Sequence, residues 1–465
     1  MSEKTLNEKT PRGRADMRSR PHRIRRVVLA VLATLLVAGT AGACSGNSSD
    51  RKLLVWTQLG GERELKAQNL VIDAFEKANP GVKVQIVPKS GQFTGDSAAL
   101  IAAVRGNTPP NVYIIDRFTT AQAASVGLFE DLQPRIDKDG ENLRSKYLPY
   151  AADEATYKGD MYALPFDTDV RGLMYNKTVL RDAGIDPEVL DPKNGPPTID
   201  EVVALGKKMD KKDKRGNYTR MGFIPWDGQA FHATWAIINR AQWFDDKTCE
   251  LTLNSPGWTK AMQDFADWAK EFNYTRVQTF LATYRPPNQP PTQSPFYTGH
   301  IGMAVDGNWS VGSINEYAPK LDYGVTYLPV PKKGDKPLTW AGGFALTMPK
   351  GAPNQDLTWK FMKFMAGEQG QRIYAKSASK IPTWQSLVND KSVTGDQGIF
   401  PSMVKFTTSR PPLPVGAQIS DSMDAAQQAV LLGDSTPAEA LDIAQKRAGP
   451  QMKQFCPFKL PTHPE

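Results

Sequence analysis

Histidine and cysteine are nearly missing from this chain. Four histidines in 465 residues, at 22, 232, 300 and 463, have no metal-ligand spacing, so neither a metal centre nor a resident cofactor is expected. The acidic stretches 137–140 and 210–216 lack the full alternation of acids and the closing Glu of a calcium loop, and read as charged turns. No Ser-His-Asp or Cys-His constellation can be assembled, which leaves nucleophilic hydrolysis without its parts. Long apolar runs are also lacking. The only one, 27–38, has 12 residues, against the roughly 20 that a membrane-spanning helix needs. No internal repeat is visible. The net charge of +8 is not a property of the whole chain, because residues 1–43 hold nine of the 57 bases and three of the 49 acids. The rest carries 48 bases against 46 acids, an excess of two, and the lysines at 207, 208, 211 and 212 are interrupted by Asp210 and Asp213 as on a solvated face. No basic footprint for nucleic acid remains.

What is present begins with an address. Arg23, Arg25 and Arg26 precede the apolar run, and Ala41, Gly42, Ala43 and Cys44 follow it. Basic residues, a short apolar stretch and small residues before a cut form a secretory signal, here 1–43. The end of the run resembles a bacterial lipobox, with Ala41 where a larger aliphatic residue is usual, so Cys44 is expected to carry a lipid anchor and 44–51 to serve as a tether. The expected location is the outer face of the cell membrane; the Arg25-Arg26 pair leaves the export route open between the general secretory and twin-arginine systems. With Cys44 lipidated, Cys249 and Cys456 remain as one possible pair in an oxidising compartment, two separate buried thiols being the alternative.

About 420 residues follow the leader, enough for two domains or lobes on a prior of roughly 150 residues each. Residues 52–56 form a β-prone run, 62–78 repeat apolar residues at helical spacing, 82–87 alternate as a strand, 95–105 read as a helix and 112–115 as an apolar strand. That order is the grammar of a parallel sheet with crossover helices. Asp116 and Arg117 follow the third strand at its carboxyl end, where open α/β sheets bind ligands; a helix cap with a surface ion pair is the plainer alternative. Downstream, 157–165 reads as a hairpin turn into a strand. In 166–175, Asp167, Asp169 and Arg171 alternate, which puts three charges on one face of an extended segment. Aromatic residues concentrate from 223 to 272, most of them core, with 258–272 an amphipathic helix. Strands are expected at 299–309, 322–330 and 342–348, and one amphipathic helix over 357–374.

At this point the ordered pieces resemble a known family. The strand 53–56, the Asp-Arg-Phe after 112–115, Tyr175-Asn176-Lys177, Gly307-Asn308-Trp309, Gly342-Gly343 and the helix at 357–374 are similar, in that order, to the extracellular solute-binding proteins of ABC transporters. The resemblance is to the carbohydrate-binding group that includes maltose-binding protein. It implies a two-lobed α/β fold of the type II periplasmic-binding class, each lobe a mainly parallel sheet flanked by helices, with the ligand in the cleft between. The implied boundaries are 52–165 with a return segment 341–388 for lobe 1, and 166–340 with the C-terminal segment 389–465 for lobe 2. The implied activity is capture of a sugar, a di- or oligosaccharide, by hinge closure, and delivery to the permease subunits of an ABC importer, by a monomer. By position the resemblance places on the ligand Gln58, Asp116, Arg117, Asp169, Trp309 as a stacking ring, the stretch around Trp226, and the backbone of Gly342, Gly343 and Phe344. Arg171 lies on the same strand face as Asp169, and Arg410, before Pro411-Pro412, offers a further polar contact or else a surface turn. Such residues suit a pyranose, whose hydroxyls pair with acids, amides and Arg, and whose C–H faces rest on aromatic planes. Where maltose-binding protein offers an aromatic pair near its C-terminal helix, this chain has Met423 and Asp424, which argues against a maltodextrin groove.

Two rivals stand beside this reading. The same fold could take glycerol phosphate, although a phosphate would call for more cations than Arg117, Arg171 and Arg410 supply. A secreted glycoside hydrolase would need two carboxylates flanking one bond, and Asp167 and Asp169, two apart on one strand, approach from one side.

Overall fold

The structure is a computed structural model that describes residues 51–89 and 98–461; the leader, Cys44 and most of the tether lie outside those residues. Strands Lys52–Thr57, Lys83–Pro88 and Val112–Asp116 run parallel, with the helix Glu62–Ala78 crossing between the first two. The helix buries Ala67, Val71, Ile72 and Phe75, one stripe at helical period, and packs Phe75 against Phe361 and Phe364, ring centroids 5.0 and 5.4 Å apart. Glu62 and Glu64 in its first turn complement the positive end of its dipole. Two further strands, Phe344–Thr347 and Ala163–Pro165, complete a five-stranded sheet in antiparallel sense. Phe344–Thr347 runs against the first three, having entered from a second sheet, whereas Ala163–Pro165, antiparallel to it, runs with them before the chain leaves for that sheet.

That second sheet is organised on one long strand, Asp167–Asn176, all ten residues of which are buried. Ile301–Gly307, Tyr323–Thr326, Thr339–Gly342 and Ile381–Pro382 each pair with it antiparallel, and Thr407–Ser409 and Tyr218–Phe223 extend the sheet on either side. Two asparagines from the motifs that carried the resemblance prove to be fasteners. Asn176 caps the next helix by accepting from Val179 N, and Asn308 accepts from Val170 N while donating to Gln397 Oε1. The aromatic third of the chain fills the core here: Trp235, Trp258 and Phe265 are fully buried, with Trp235 5.0 Å from Trp268 and Trp258 4.7 Å from Trp243. Helices Gly416–Leu432 and Pro437–Lys453 pack on each other and on this core, and Met423 is buried in it. A disulfide joins Cys249 to Cys456, closing the C-terminal helices onto residues 207 positions earlier.

The chain passes between the sheets near 166, 343 and 380. At the second passage the structure departs from expectation, because 342–348 is not one strand. Thr339–Gly342 belongs to the second sheet and Phe344–Thr347 to the first, with Gly343 between them at φ +131°. A Cβ at Gly343 would fall on Arg117 and on the Asp167 carbonyl, so only glycine fits the turn. The expected single helix 357–374 is likewise two, Gln355–Ala366 and Glu368–Ala378. Gly367 between them is extended, and a Cβ there would strike the Lys363 carbonyl. Among the described residues no helix is long and apolar enough to cross a membrane.

Candidate functional site

A cavity of about 620 Å³ opens where the two sheets meet. From the first sheet it takes the residues after the first and third strands. Gln68, buried in the Glu62–Ala78 helix, accepts from Thr57 Oγ1 and donates to the Leu59 carbonyl, which fixes the turn that carries Gln58. From the second sheet come Asp169 and Arg171, neighbours on one face of the long strand, and Trp340, two residues before Gly342 on the strand beside them.

Charge and aromatic surface alternate through the cleft. Asp116 accepts from Arg410 at 2.9 Å and from Phe118 N at 3.0 Å. Asp169 is paired with Arg171 and accepts from Gly342 N at 2.7 Å, while Arg171 Nε donates to Gln229. The Arg171 guanidinium lies 3.5 Å from the Trp340 ring centroid and 5.1 Å from that of Trp309; the Arg410 guanidinium lies 4.2 Å from Phe118 and 5.3 Å from Trp340. Trp309, Arg171, Trp340, Arg410 and Phe118 thus form a ladder of rings and cations, each contact contributing about 0.5–2 kcal/mol. Burial pushes the Asp169 carboxyl up, but Arg171 and Lys380 outweigh it and hold the group below the usual carboxylate range, so it stays ionised. Burial also lowers the Arg171 guanidinium, against the pull of Asp169. At the mouth, Arg63 reaches from one wall to the other, donating to Ser313 Oγ at 3.3 Å and pairing with Glu316 at 3.2 Å. Its guanidinium rests on Gly312, where a Cβ would displace it.

Residues 61–372 match the family described as bacterial extracellular solute-binding protein. The chain belongs to that family. This solute-binding protein is therefore extracytoplasmic, and its family is one of binding proteins rather than enzymes. It is 26% identical over 355 residues, 75% of this chain and 70% of the relative, to the maltotriose-binding protein of Pyrococcus abyssi. It is 25% identical over 464 residues, 93% of this chain and 97% of the relative, to the sn-glycerol-3-phosphate-binding periplasmic protein UgpB of Pectobacterium atrosepticum. Among solved structures it resembles CpMnBP1 with mannobiose bound, at a TM-score of 0.75 and 23% identity over 85% of this chain and 99% of the other. It also resembles a solute-binding protein from Thermotoga lettingae bound with α-D-tagatose, at a TM-score of 0.69 and 24% identity over 86% of this chain and all of the other.

Of the residues expected on the ligand, this solute-binding protein brings Gln58, Asp116, Asp169, Arg171, Trp309, Gly342, Gly343, Phe344 and Arg410 to the cavity wall. Gln58 is largely spent on the fold, accepting from Asp116 N and donating to Tyr113 Oη. Two expectations need correction. Arg117 does not reach the cavity: its side chain is fully buried, pairs with Glu154 at 3.0 Å, and donates to the carbonyls of Asp167 and Gly342 on the two crossing strands. The backbone turns at Asp116, so consecutive side chains leave in different directions. Trp226 is core, with its ring about 6 Å from those of Phe272 and Tyr274. Burial pushes Glu154 up to about 7 despite Arg117, and Asp167 up to about 6 despite Lys380. Phe231, Trp340, Arg63 and Lys380 line the cavity without having been singled out. Trp340 had a signal, sharing a strand face with Gly342; Lys380 had none, since its place depends on where the third passage crosses. The Cys249–Cys456 pair lies apart from the cleft, and Cys44 lies outside the described residues.

Proposed function

We propose that this chain captures a neutral sugar, a di- or oligosaccharide, in the cleft and delivers it to its permease. The observation that carries this reading is the pairing of every strong cation with an acid around exposed ring edges. The cavity wall has four bases, Arg63, Arg171, Lys380 and Arg410, and five acids, Glu62, Glu64, Asp116, Asp169 and Glu316. A phosphate dianion, such as the solute named for UgpB, would meet a wall without surplus positive charge. Sugar hydroxyls, which donate and accept, suit paired carboxylate and guanidinium groups, and the half-exposed rings of Phe231 and Trp309 suit a C–H face. The mannobiose and maltotriose named for relatives support the same class.

The receptor is read as having no chemistry of its own. Of the two acids weighed as a hydrolytic pair, Asp169 is held ionised by Arg171, and Asp167 is turned from the cavity to accept from Phe344 N. Lobe 1 is assigned to 52–165 with 341–388 and lobe 2 to 166–340 with 389–465, a division supported by the change of sheet at 166 and at Gly343. Closure about these passages traps the solute. The leader supports a lipid on Cys44 that keeps the receptor at the membrane, where its effective concentration near the permease is high.

The test is a thermal-shift panel of mannobiose, maltose, maltotriose, tagatose and sn-glycerol 3-phosphate on the mature protein. A sugar at a hundred times its Kd stabilises by about 2.7 kcal/mol and raises the melting temperature. A shift with sn-glycerol 3-phosphate alone would refute the carbohydrate reading.

A further inference from the structure

Lys380 brings to the cavity wall an ammonium that is ion-paired with Glu64 but donates a hydrogen bond to no group among the described residues. It is 7% exposed and lines the cavity, yet among the described residues its Nζ makes no hydrogen bond; its nearest acid oxygen, on Glu64, lies 3.7 Å away. An ammonium carries three donors, and Nζ is not among the side-chain atoms sealed from solvent, so those donors are open to a solute in the cavity. The side chain is not idle slack at a loop tip, because its backbone is fixed on both sides. Lys380 N closes the Glu368–Ala378 helix on the Ala375 carbonyl, Ser379 before it is left-handed at φ 54°, Gln397 donates to the Lys380 carbonyl, and Ile381 after it pairs with Thr168. A lysine so anchored presents its head to the cleft with little freedom left to lose on binding.

We propose that Lys380 is a direct solute contact, donating to a sugar hydroxyl that Glu64, or Glu64 through the adjacent hydroxyl, accepts from on its other side. The proposal rests on the carbohydrate reading and names a recognition point within it. Three features fix the chemistry. The 3.7 Å to Glu64 is an ion-pair contact too long for a hydrogen bond, so Nζ and the carboxylate both keep hydrogen-bonding directions free toward neighbouring hydroxyls of a solute. The Lys380 charge is compensated by Glu64, Asp167 and Asp169, which favours a neutral polar group over an anion. Nζ lies over the Trp309 ring, 5.8 Å from its centroid, close enough to meet a hydroxyl of a sugar that packs beside that indole.

The experiment is isothermal calorimetry with whichever of mannobiose, maltose, maltotriose and tagatose stabilises the protein most, together with its monodeoxy analogues. Lys380→Met should weaken binding about ten- to a hundredfold, the size of a lost charge-assisted hydrogen bond. One monodeoxy analogue should bind the parent protein with a similar loss and bind Lys380→Met with no further loss, because the same contact cannot be removed twice. Lys380→Arg, which keeps the charge but not the reach, should retain the melting temperature of the unliganded parent and still lose affinity, so a folding defect in Lys380→Met would not obscure the answer. Parent-like affinity in both variants would overturn the proposal. So would an equal, additive loss across all analogues, since that is the signature of a lysine that only neutralises Asp167 and Asp169. If no sugar binds the parent, the carbohydrate reading falls and Lys380 with it; if sugars bind and the cycle is additive, only the Lys380 contact falls.

Discussion

Replacing Arg117 by methionine separates two roles that the sequence could not distinguish. A guanidinium that touched the solute would cost affinity and little stability; the one in the structure is buried and holds the carbonyls of Asp167 and Gly342 and the carboxyl of Glu154. Glu154 makes the outcome depend on pH. Burial raises it from 4.5 to about 7 in the folded protein, so between those values the native state keeps a proton that the unfolded chain releases. Stability therefore falls by about 3 kcal/mol in all as pH rises through that window, and then levels above pH 7. Without Arg117, Glu154 rises further still, and the variant keeps losing stability above pH 7 at about 1.4 kcal/mol per pH unit while the parent no longer does. At pH 6, where the carboxyl is protonated in both, the gap is the cost of the abandoned acceptors, about 2–4 kcal/mol. Urea unfolding followed by tryptophan fluorescence at pH 6, 7, 8 and 9 measures it: Arg117→Met should be less stable throughout, and the gap should widen above pH 7. A gap of less than about 1 kcal/mol together with a loss of solute binding would refute the buried role.

Two further outcomes can be checked directly. Reduction, or Cys249→Ser with Cys456→Ser, should lower stability by about 2–4 kcal/mol in denaturant titration, because the bond closes a 207-residue loop; a peptide map without reduction should find the two cysteines linked, and two free thiols would overturn the pairing. Cys44→Ser should move the protein from the membrane fraction to the medium, whereas retention at the membrane would mean that something other than lipid on Cys44 holds it.

What could be read from the sequence followed its local periodicity. The first helix is Glu62–Ala78, where the apolar spacing placed it, and the third strand ends at Asp116, where the apolar run ends. The strand 342–348 and the helix 357–374 read as single elements because their apolar patterns are continuous. Each is broken by a glycine whose significance lies in distant atoms, Arg117 beside Gly343 and the Lys363 carbonyl beside Gly367. The cleft was legible where a ligand side chain follows a strand end or shares a strand face, as with Asp116, Asp169 and Arg171. It was not legible at Arg117, where a turn reverses the side chain, nor at Trp226, one aromatic ring among many whose packing on Phe272 and Tyr274 no local pattern marks. Lys380 carries no local pattern at all.

The three passages between the sheets are not separate threads. At the long strand, Thr168 is paired with Ile381, and Asp169 and Val170 with Gly342 and Ala341, so the passages are hydrogen-bonded side by side over a few residues. A joint made of a single strand would swivel; three straps laid edge to edge and stitched together bend across their width and resist both twist and sideways slip. Under the proposed closure the walls would approach along one path, and in this structure Arg63 already meets Glu316 and Ser313 across the cleft. The straps would then act as a length standard, admitting a solute only if it fits the space left when that contact is made.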